Sequence, residues 1–323
     1  MEGLLPSEEG GSGCPFSGRR SGQASTPRAA PSYRRPFGIF HNPALRSEIA
    51  ALDAERDCAR IVFLLANYEF PFDLSRALEL ALYHTYGSAS VAGLLDRTGE
   101  FAKRGQKRYD DTRLLISQFV EAGWQTDLGR RSIAQMNKIH GFFAIPNDDY
   151  LFVLWTFIDF PLQWTDEFGW RQFTPHERQA WFNFWIAIGR EMGIKDLPAD
   201  KARYDAFIAA YEAREMVYSD ASHRVALATV RVMENWLPAP LRVAVLPIAA
   251  CLLRPQFLTA AGIKPPPAWL KSTIRSALKL RAWVKRFVSI ERYPKLLADA
   301  LNRTYPDNRY EIETLGPEYA HKS

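Results

Sequence analysis

Histidine is the residue type that could most directly bind a metal ion in this sequence, and its spacing limits the sites that are possible. The six histidines are at positions 41, 84, 140, 176, 223 and 321, and no two are close enough along one helix to bind the same ion. The sequence also lacks HExxH, CxxC, GxSxG, GxxxxGK(S/T) and a GxGxxG followed by an acid. These absences argue against the common zinc proteases, serine hydrolases, P-loop enzymes and dinucleotide enzymes.

His140 differs from the other histidines in its position on a predicted helix. The periodicity places it on the same face as Ile133, Met136, Asn137 and Phe143. A neutral imidazole that points in the direction of apolar side chains can serve as the proximal ligand of a haem iron. The alternative is a core histidine whose ring nitrogen bonds a backbone carbonyl, and the spacing alone favours that alternative.

A second cluster that could do chemistry is the run from Lys107 to Thr112. Arg108 and Thr112 are i, i+4 neighbours, so they share one face near a helix start and offer a fixed cation and a hydroxyl donor. Such a pair could bind a haem propionate or iron-bound oxygen. The alternative is an ordinary solvated helix start that Asp110 or Asp111 caps.

A third feature combines Trp164 with the run Gly169-Trp170-Arg171. The indoles could pack on a macrocycle, and Arg171 could pair with an acid. An aromatic core beside a turn explains the same residues at least as well.

The elements that must position these residues are predicted to be helices. We find no sustained period-two alternation, no hairpin signature and no internal repeat. Asp73 is a candidate cap, Thr174 and Glu177 form a capping box, and Pro161 is expected to end a helix. The predicted helices are Leu52–Asn67, Leu74–Tyr86, Asp110–Ala122, Gly129–Phe143, one from Asn147 or Asp148 to Pro161, one after Thr174, Ala199–Tyr218, Ser222–Trp236 and Pro267–Val288.

The sequence predicts an all-α fold with a single multi-helix domain over residues 36–318 and a weak boundary near 237–240. Residues 1–35 are rich in Gly, Ser, Pro and Arg and are expected to form a disordered tail, and 319–323 a second short tail. Nine Trp and 20 Phe suit a deep core or a pocket for a large apolar ligand. Three scattered cysteines, at 14, 58 and 251, indicate a reducing compartment.

The net charge of +5 hides an uneven distribution, because the stretch from Asn235 to Ile290 contains no Asp or Glu. A stretch of one sign can attract an anionic membrane surface or can be an ordinary solvated face, and its amphipathic mix does not favour nucleic acid. No secretory signal or transmembrane segment is expected, which suggests a cytoplasmic protein, at most peripheral to a membrane. The basic residues are Arg242, Arg254, Lys264, Lys271, Arg275, Lys279, Arg281, Lys285 and Arg286.

Seven strings between about residues 45 and 318 together resemble one family. This family unites the latex-clearing proteins, or rubber oxygenases, with the MpaB-type oxygenase of mycophenolic acid biosynthesis. The strings occur in order, and the tail 1–35 lies outside them. They are LDAERDCARIVFLL, YEFPFD, GLLDRTGEFAKRGQKRYDDT, MNKIHGFFAIPNDD, FGWRQFTPHER, IGREMGI and YPDNRYEIETLGP.

The resemblance implies a globin-like helical core around haem b, with a proximal histidine matched here by His140. It implies an Arg-x-x-x-Thr pair on the other side of the haem, matched by Arg108 and Thr112. It also implies an oxygenase that uses dioxygen on an apolar substrate, an isoprenoid or other unsaturated lipid, and that cleaves a carbon–carbon double bond. The rival hypothesis is a haem or lipid carrier that binds to membrane surfaces and has no catalytic role.

Two departures from the family pattern concern acidic residues. Asp111 stands where the rubber-cleaving proteins tend to have a basic residue. The acid that some relatives use as a base has no clear match, and Glu100 and Asp111 are the nearby options. These departures affect the expected substrate more than the expected cofactor.

Overall fold

The computed structural model describes residues 41, 43–288, 294–300 and 302–321. These residues form α-helices linked by turns, with short 3₁₀ and π turns, and none of them belongs to a β-strand, so the all-α prediction is confirmed. The tail expected at 1–35 lies outside the described residues. The helices are α1 (Pro43–Ala51), α2 (Cys58–Leu64), α3 (Pro71–Thr85), α4 (Ala89–Thr98), α5 (Glu100–Ala122), α6 (Asp127–His140), α7 (Asn147–Phe168), α8 (Pro175–Glu191), α9 (Lys201–Glu215), α10 (Asp220–Glu234), α11 (Ala239–Arg242), α12 (Val245–Ala250), α13 (Pro255–Ala260) and α14 (Ala268–Phe287).

One apolar core joins most of these helices. The most extensive contact is between α3 and α7, while α2 packs on α8, α5 on α6, and α10 on both α4 and α5. Buried side chains on either side of segment 237–240, such as Val225 and Phe257, belong to the same core. The described residues therefore form one domain, and the globin-like character of its core stays a prediction. No helix among them combines the length and apolarity needed to cross a membrane.

Helix α7 continues through Pro161 to Phe168, so the expectation that it ends at Pro161 is wrong. A proline inside a helix has no N–H to donate to the carbonyl four residues earlier. Here the indole Nε1 of Trp181 donates to that carbonyl, the oxygen of Phe157, at 3.1 Å. The hydrogen bond that Pro161 removes is thus replaced by a side chain of α8, and the buried helix can continue.

Asp73 does not cap α3, because the helix begins at Pro71, two residues earlier than Asp73. The carboxylate lies in the first turn and is fully buried. It accepts hydrogen bonds from Trp164 Nε1 at 3.0 Å and from the Arg281 guanidinium at 2.7 Å. Asp73 therefore ties α3 to α7 and α14.

The capping box at the start of α8 is confirmed. Thr174 Oγ1 accepts from the N–H of Glu177 at 3.2 Å, and the Glu177 carboxylate accepts from the N–H of Thr174 at 2.8 Å. The prediction for α5 was too short, because this helix begins at Glu100 rather than at Asp110. Its first turn is kinked at Arg104, where φ is −140° and ψ is 38°.

The chain after α14 returns across α5 and α6. We call residues 302–320 the C-terminal strap. It contains two short 3₁₀ turns, and its side chains Ile312, Leu315 and Ala320 join a small second core with Leu115 of α5 and Ile139 of α6. The packed part of the described residues therefore includes Ala320.

Candidate active site

A large cavity lies among the described residues, between α4, α5, α6, α10 and the first turns of α7. Its wall is predominantly apolar and aromatic. The cavity volume is about 220 Å³, whereas a single water requires roughly 10–15 Å³. The space can therefore hold a ligand far larger than a few water molecules. His140, Arg108 and Thr112, the three residues that the sequence indicates as candidates, all line this cavity.

His140 is the last residue of α6, a helix whose N-cap Thr126 accepts a hydrogen bond from the N–H of Gly129 at 3.2 Å. Its Nδ1 is buried and has no hydrogen-bond partner among the described residues. The ring contacts the Tyr150 ring edge-on, with 5.6 Å between centroids. Among the described residues, therefore, no carbonyl accepts a hydrogen bond from Nδ1 of His140, as the alternative of a core histidine would require.

The environment of His140 keeps its imidazole neutral. Burial, and secondly the positive charge of Arg108, lower its pKa to about 4. At neutral pH the ring therefore carries one N–H and one free lone pair. A neutral imidazole is the form that binds a metal.

Arg108 and Thr112 are held together on α5. The guanidinium Nη1 of Arg108 donates to Thr112 Oγ1 at 2.8 Å, and Thr112 Oγ1 donates to the Arg108 carbonyl, also at 2.8 Å. The guanidinium carbon lies 6.0 Å from the centroid of the Phe101 ring. The Thr112 hydroxyl already donates its proton to the Arg108 carbonyl. The hydrogen-bond donors that this pair offers to the cavity are therefore the remaining N–H groups of Arg108.

Among the described residues no carboxylate pairs with Arg108, although most of the described arginines are in ion pairs. Its charge acts across the cavity. Burial raises the pKa of Tyr86 and Tyr319, and Arg108 opposes that rise, as it also helps to lower the pKa of His140. The cavity thus contains an uncompensated positive charge in apolar surroundings.

The two acids that the sequence left open as a base occupy different places. Glu100 lines the cavity, with its side chain 4.0 Å from Arg104. Asp111 does not line it and is buried on the other side of α5, where it accepts from Lys107 Nζ at 2.6 Å. Of the two acids, Glu100 therefore shares the cavity with His140 and Arg108, and Asp111 does not.

Trp164, Trp170 and Arg171 also lie away from the cavity. Trp164 bonds Asp73, and Trp170 Nε1 donates to the Glu69 carbonyl at 3.0 Å. Arg171 pairs with the Glu69 carboxylate at 2.8 Å and with that of Glu177 at 2.7 Å. The alternative reading, an aromatic core beside a turn, is correct for this segment, and Arg171 pairs with acids as expected.

Adjacent buried acids of α5 anchor the C-terminal strap. Asp110 accepts from the N–H of Thr304 at 3.0 Å and from its hydroxyl at 2.6 Å. Asp111 accepts from the hydroxyl of Tyr305 at 2.8 Å and from the N–H of Gly316 at 3.0 Å. The Gly316 backbone has a φ of 113°, a conformation that disfavours any side chain.

The strap completes the cavity wall with Pro317 and Tyr319. The Tyr319 ring contacts the rings of Phe142 and Phe143 edge-on, with centroid distances of 5.5 and 5.8 Å. Sequence reasoning did not find these lining residues. The pair of adjacent acids at 110 and 111 was a signal, because buried carboxylates need donors from another segment.

Helix α4 was also missed, although it supplies Val91, Leu94 and Leu95 to the wall. Ser88 caps it by accepting from the N–H of Val91 at 3.3 Å, and Gly99 ends it with a φ of 66°. In the sequence, Ser88 before the helix and Gly99 after it were the signals that could have predicted its start and its end.

No group of three or more His, Cys, Asp or Glu side chains among the described residues is arranged to hold a metal ion. A profile described as "ER-bound oxygenase mpaB/B'/Rubber oxygenase, catalytic domain" matches residues 77–302. This range contains His140, Arg108 and Thr112, while the strap lies almost entirely outside it.

Three curated fungal proteins are similar to the chain. The ER-bound oxygenase mpaB' of Penicillium brevicompactum is 29% identical over 266 residues, covering 76% of this chain and 63% of that protein. The ER-bound oxygenase mpaB of the same species is 31% identical, covering 54% of this chain and 50% of the relative. The ER-bound oxygenase mpaB of Penicillium roqueforti (strain FM164) is 33% identical, covering 49% and 59%.

The matched regions thus span between half and just under two-thirds of the length of these relatives. The family profile covers well over half of this chain and the whole of the helical pair that holds the candidate residues. The chain therefore belongs to the ER-bound oxygenase mpaB/B'/rubber oxygenase catalytic-domain family.

Proposed function

We propose that the protein is a haem-b-dependent oxygenase that uses dioxygen on an apolar substrate of the isoprenoid or unsaturated-lipid type, with cleavage of a carbon–carbon double bond as the reaction. One observation carries the proposal. A neutral imidazole with an unpartnered buried nitrogen and a guanidinium without a carboxylate partner line the same apolar cavity. His140 Nδ1 has no hydrogen-bond partner among the described residues, and Arg108 uses one N–H on Thr112 and keeps its others, so both groups are available to a bound group.

The residues of the cavity fit haem b. The group needs one nitrogen ligand, apolar and aromatic walls for its macrocycle, and a cation near its propionates. His140 would be the ligand, and aromatic side chains such as Phe157 and Tyr150 supply part of the wall. Arg108 is the cation of the lining that lacks an acidic partner among the described residues. When bound, haem b would supply the redox chemistry that dioxygen requires.

His140 contributes a lone pair that protons do not occupy at neutral pH. Because burial and Arg108 lower its pKa to about 4, protonation competes with ligation only in strongly acidic solution. The edge contact with Tyr150 limits the rotation of the ring. The chain thus presents a preoriented imidazole before any ligand arrives.

Thr112 acts as a positioning residue for Arg108. Its oxygen accepts one guanidinium N–H, and its proton is fixed on the backbone, so the pair has one preferred arrangement. The remaining N–H groups of Arg108 can then donate to negative charge that develops in the cavity. A fixed donor in a dry cavity stabilises such charge far better than water does, because it does not have to reorient.

The apolar wall supports an apolar substrate. Long side chains such as Leu94, Ile145 and Met233 exclude water and offer no hydrogen bonds, which suits an unsaturated hydrocarbon chain. Glu100 and Asp149 are the carboxylates of the lining. Asp149 already accepts from the hydroxyls of Tyr211 and Ser90, so Glu100, near Arg104, is the candidate to accept a proton from the substrate. Substrates of this class partition into membranes, so we place the reaction beside a membrane surface.

The first experiment is an absorption spectrum of the purified protein with pyridine haemochrome quantification. We expect a Soret band, about one haem b per chain, and loss of both in His140→Ala. His176→Ala is the matched control, because His176 does not line the cavity. A chain that stays colourless after haem is supplied, or a His140→Ala variant with the full spectrum, would refute the ligand assignment.

A second experiment separates the oxygenase from a carrier that binds haem or lipid without catalysis. Oxygen uptake with unsaturated isoprenoids should fall by about a hundredfold in Arg108→Met, the usual effect of removing one fixed donor. Haem content should remain at least half of that in the unmodified protein, since His140 stays. An uptake rate equal to that of the unmodified chain would favour the carrier.

A further inference from the structure

Helix α14 is attached to the protein through charged side chains and small apolar contacts, with Leu278 packed against Trp164 and Phe168 and Ala282 buried, while its large apolar side chains lie elsewhere. Arg281 pairs with the buried Asp73 at 2.7 Å and lies over the ring of Phe72, with 3.9 Å to its centroid. One turn and a half earlier, Arg275 forms an ion pair with Glu167 of α7. These ion pairs hold the helix against α3 and α7.

The opposite face of α14 is apolar and exposed. The spacing of Leu280, Trp283, Val284 and Phe287 is i, i+3, i+4, i+7, and Trp269 lies three turns earlier on the same face. Their exposed fractions are 61, 61, 48, 54 and 69%. A surface helix of a water-soluble domain normally has the reverse orientation, with its apolar side against the core. We call this surface the α14 face.

Basic residues flank the α14 face, and acids are absent from its surroundings in the chain. Lys279 and Arg286 are exposed and have no acidic partner among the described residues. The whole stretch from Asn235 to Ile290 contains no Asp or Glu. The face therefore combines large apolar side chains with unpaired positive charge.

The same stretch contains a neighbouring group of exposed apolar residues. Helix α12 packs against α14. In and around α11 and α12 the side chains of Leu241, Val243 and Ile248 are 54, 80 and 41% exposed. Exposed apolar area on this scale is typical of an interaction surface.

We infer that the α14 face docks on an anionic lipid bilayer, with α14 parallel to the membrane plane. Trp and Phe on one side of a helix with Lys and Arg at its borders are the composition of helices that lie in the lipid interface. A second copy of the chain would bring Lys279 and Arg286 close to residues of the same sign, which opposes self-association. The inference uses no residue of the cavity, so it stands independently of the proposed oxygenase function.

The test is sedimentation of the full chain with vesicles of phosphatidylserine and phosphatidylcholine, compared with vesicles of phosphatidylcholine alone. We expect binding to the anionic vesicles that high salt weakens. The Lys279→Gln, Arg286→Gln double variant should bind roughly thirtyfold more weakly, since each cation near an anionic surface contributes about a fivefold factor. Trp283→Ser, Phe287→Ser should also lose binding.

The matched control is Arg56→Gln, Arg203→Gln, which removes the same charge from side chains that are 82 and 77% exposed. It should bind within about twofold of the unmodified chain if the α14 face is specific. Circular dichroism and melting temperature should be unchanged in all variants, because the substituted side chains are exposed.

Three outcomes would overturn the inference. One is the absence of binding to anionic vesicles. Another is equal loss of binding in the control and in the Lys279, Arg286 variant. The third is a dimer in sedimentation velocity that Trp283→Ser dissociates, because the α14 face would then be covered by a second copy.

Discussion

Replacing Asp111 with Asn should loosen the C-terminal strap and reduce the stability of the protein. The carboxylate is 1% exposed and accepts from Lys107 Nζ, the hydroxyl of Tyr305 and the N–H of Gly316 at 2.6, 2.8 and 3.0 Å. Hydrogen bonds to a charged group contribute roughly 1.5–3 kcal/mol each but are not additive. Removing one partner of a buried ion pair costs about 3–5 kcal/mol.

The expected loss lies at the lower end of that range, because the side chain of Lys107 is 27% exposed and water can solvate the remaining ammonium. A loss of about 3 kcal/mol lowers the melting temperature of a chain of this size by roughly 6 °C, since each kcal/mol corresponds to about 2 °C. Calorimetry at neutral pH measures the shift. Limited trypsin digestion then shows whether cleavage in residues 302–320 becomes faster.

Arg131→Gln is the matched control for this prediction. Arg131 binds the same strap through Glu313 at 2.6 Å, but the two side chains are 30 and 54% exposed. An exposed pair contributes about 0–1 kcal/mol, so the melting temperature should change by no more than about 2 °C. Equal shifts for Asp111→Asn and Arg131→Gln would refute the conclusion that the buried carboxylate anchors the strap.

Three further predictions concern pH and two buried contacts. The pKa of His140 is about 4 in the folded protein and 6.5 when unperturbed, so unfolding takes up a proton and the free energy of unfolding falls as pH decreases from about 6.5 to 4. In urea titrations, the free energy of unfolding of His140→Gln should depend less on pH over this range. A pH dependence equal to that of the unmodified chain would contradict the pKa of His140. Arg171→Met leaves two buried carboxylates unpaired and should cost about 3–5 kcal/mol in urea unfolding without changing haem per folded chain. Trp181→Phe should lower the free energy of unfolding by about 1–3 kcal/mol, because the Phe157 carbonyl loses its donor. The loss should be smaller in a Pro161→Ala background, where the N–H of residue 161 can donate to that carbonyl. Additive losses in the double-mutant cycle would exclude this coupling.

Local sequence signals predicted several elements because the physics behind them is local. The Thr174 box and the period of α10 depend on residues within a few positions of each other, and both appear in the structure. The pattern around His140 and the i, i+4 spacing of Arg108 and Thr112 likewise depend on helix geometry alone. Helix geometry predicted which of these residues share a face, and the family resemblance was needed to expect all three around one ligand, as their positions on the wall of one cavity allow.

Other features depend on partners far away in the sequence. The continuation of α7 through Pro161 requires the indole of Trp181, and no local rule contains that donor. The burial of Asp73 requires Arg281, 208 residues later. Asp111 was considered as a helix cap or as a base, but donors from Tyr305 and Gly316 hold it buried inside the protein. These errors have the same cause. Whether a polar group can be buried depends on a hydrogen-bond partner that can be distant in sequence, and the adjacent residues do not reveal that partner.

The placement of the strap has a consequence for biosynthesis. Pro317 and Tyr319 belong to the wall of the cavity, and the acids that fix the strap lie some two hundred positions upstream. During translation the helices that carry His140 and Arg108 emerge long before the residues that complete the wall. Until the strap has emerged, the nascent chain therefore lacks this part of the wall, and the apolar side chains of the cavity are open to solvent and to chaperones on that side.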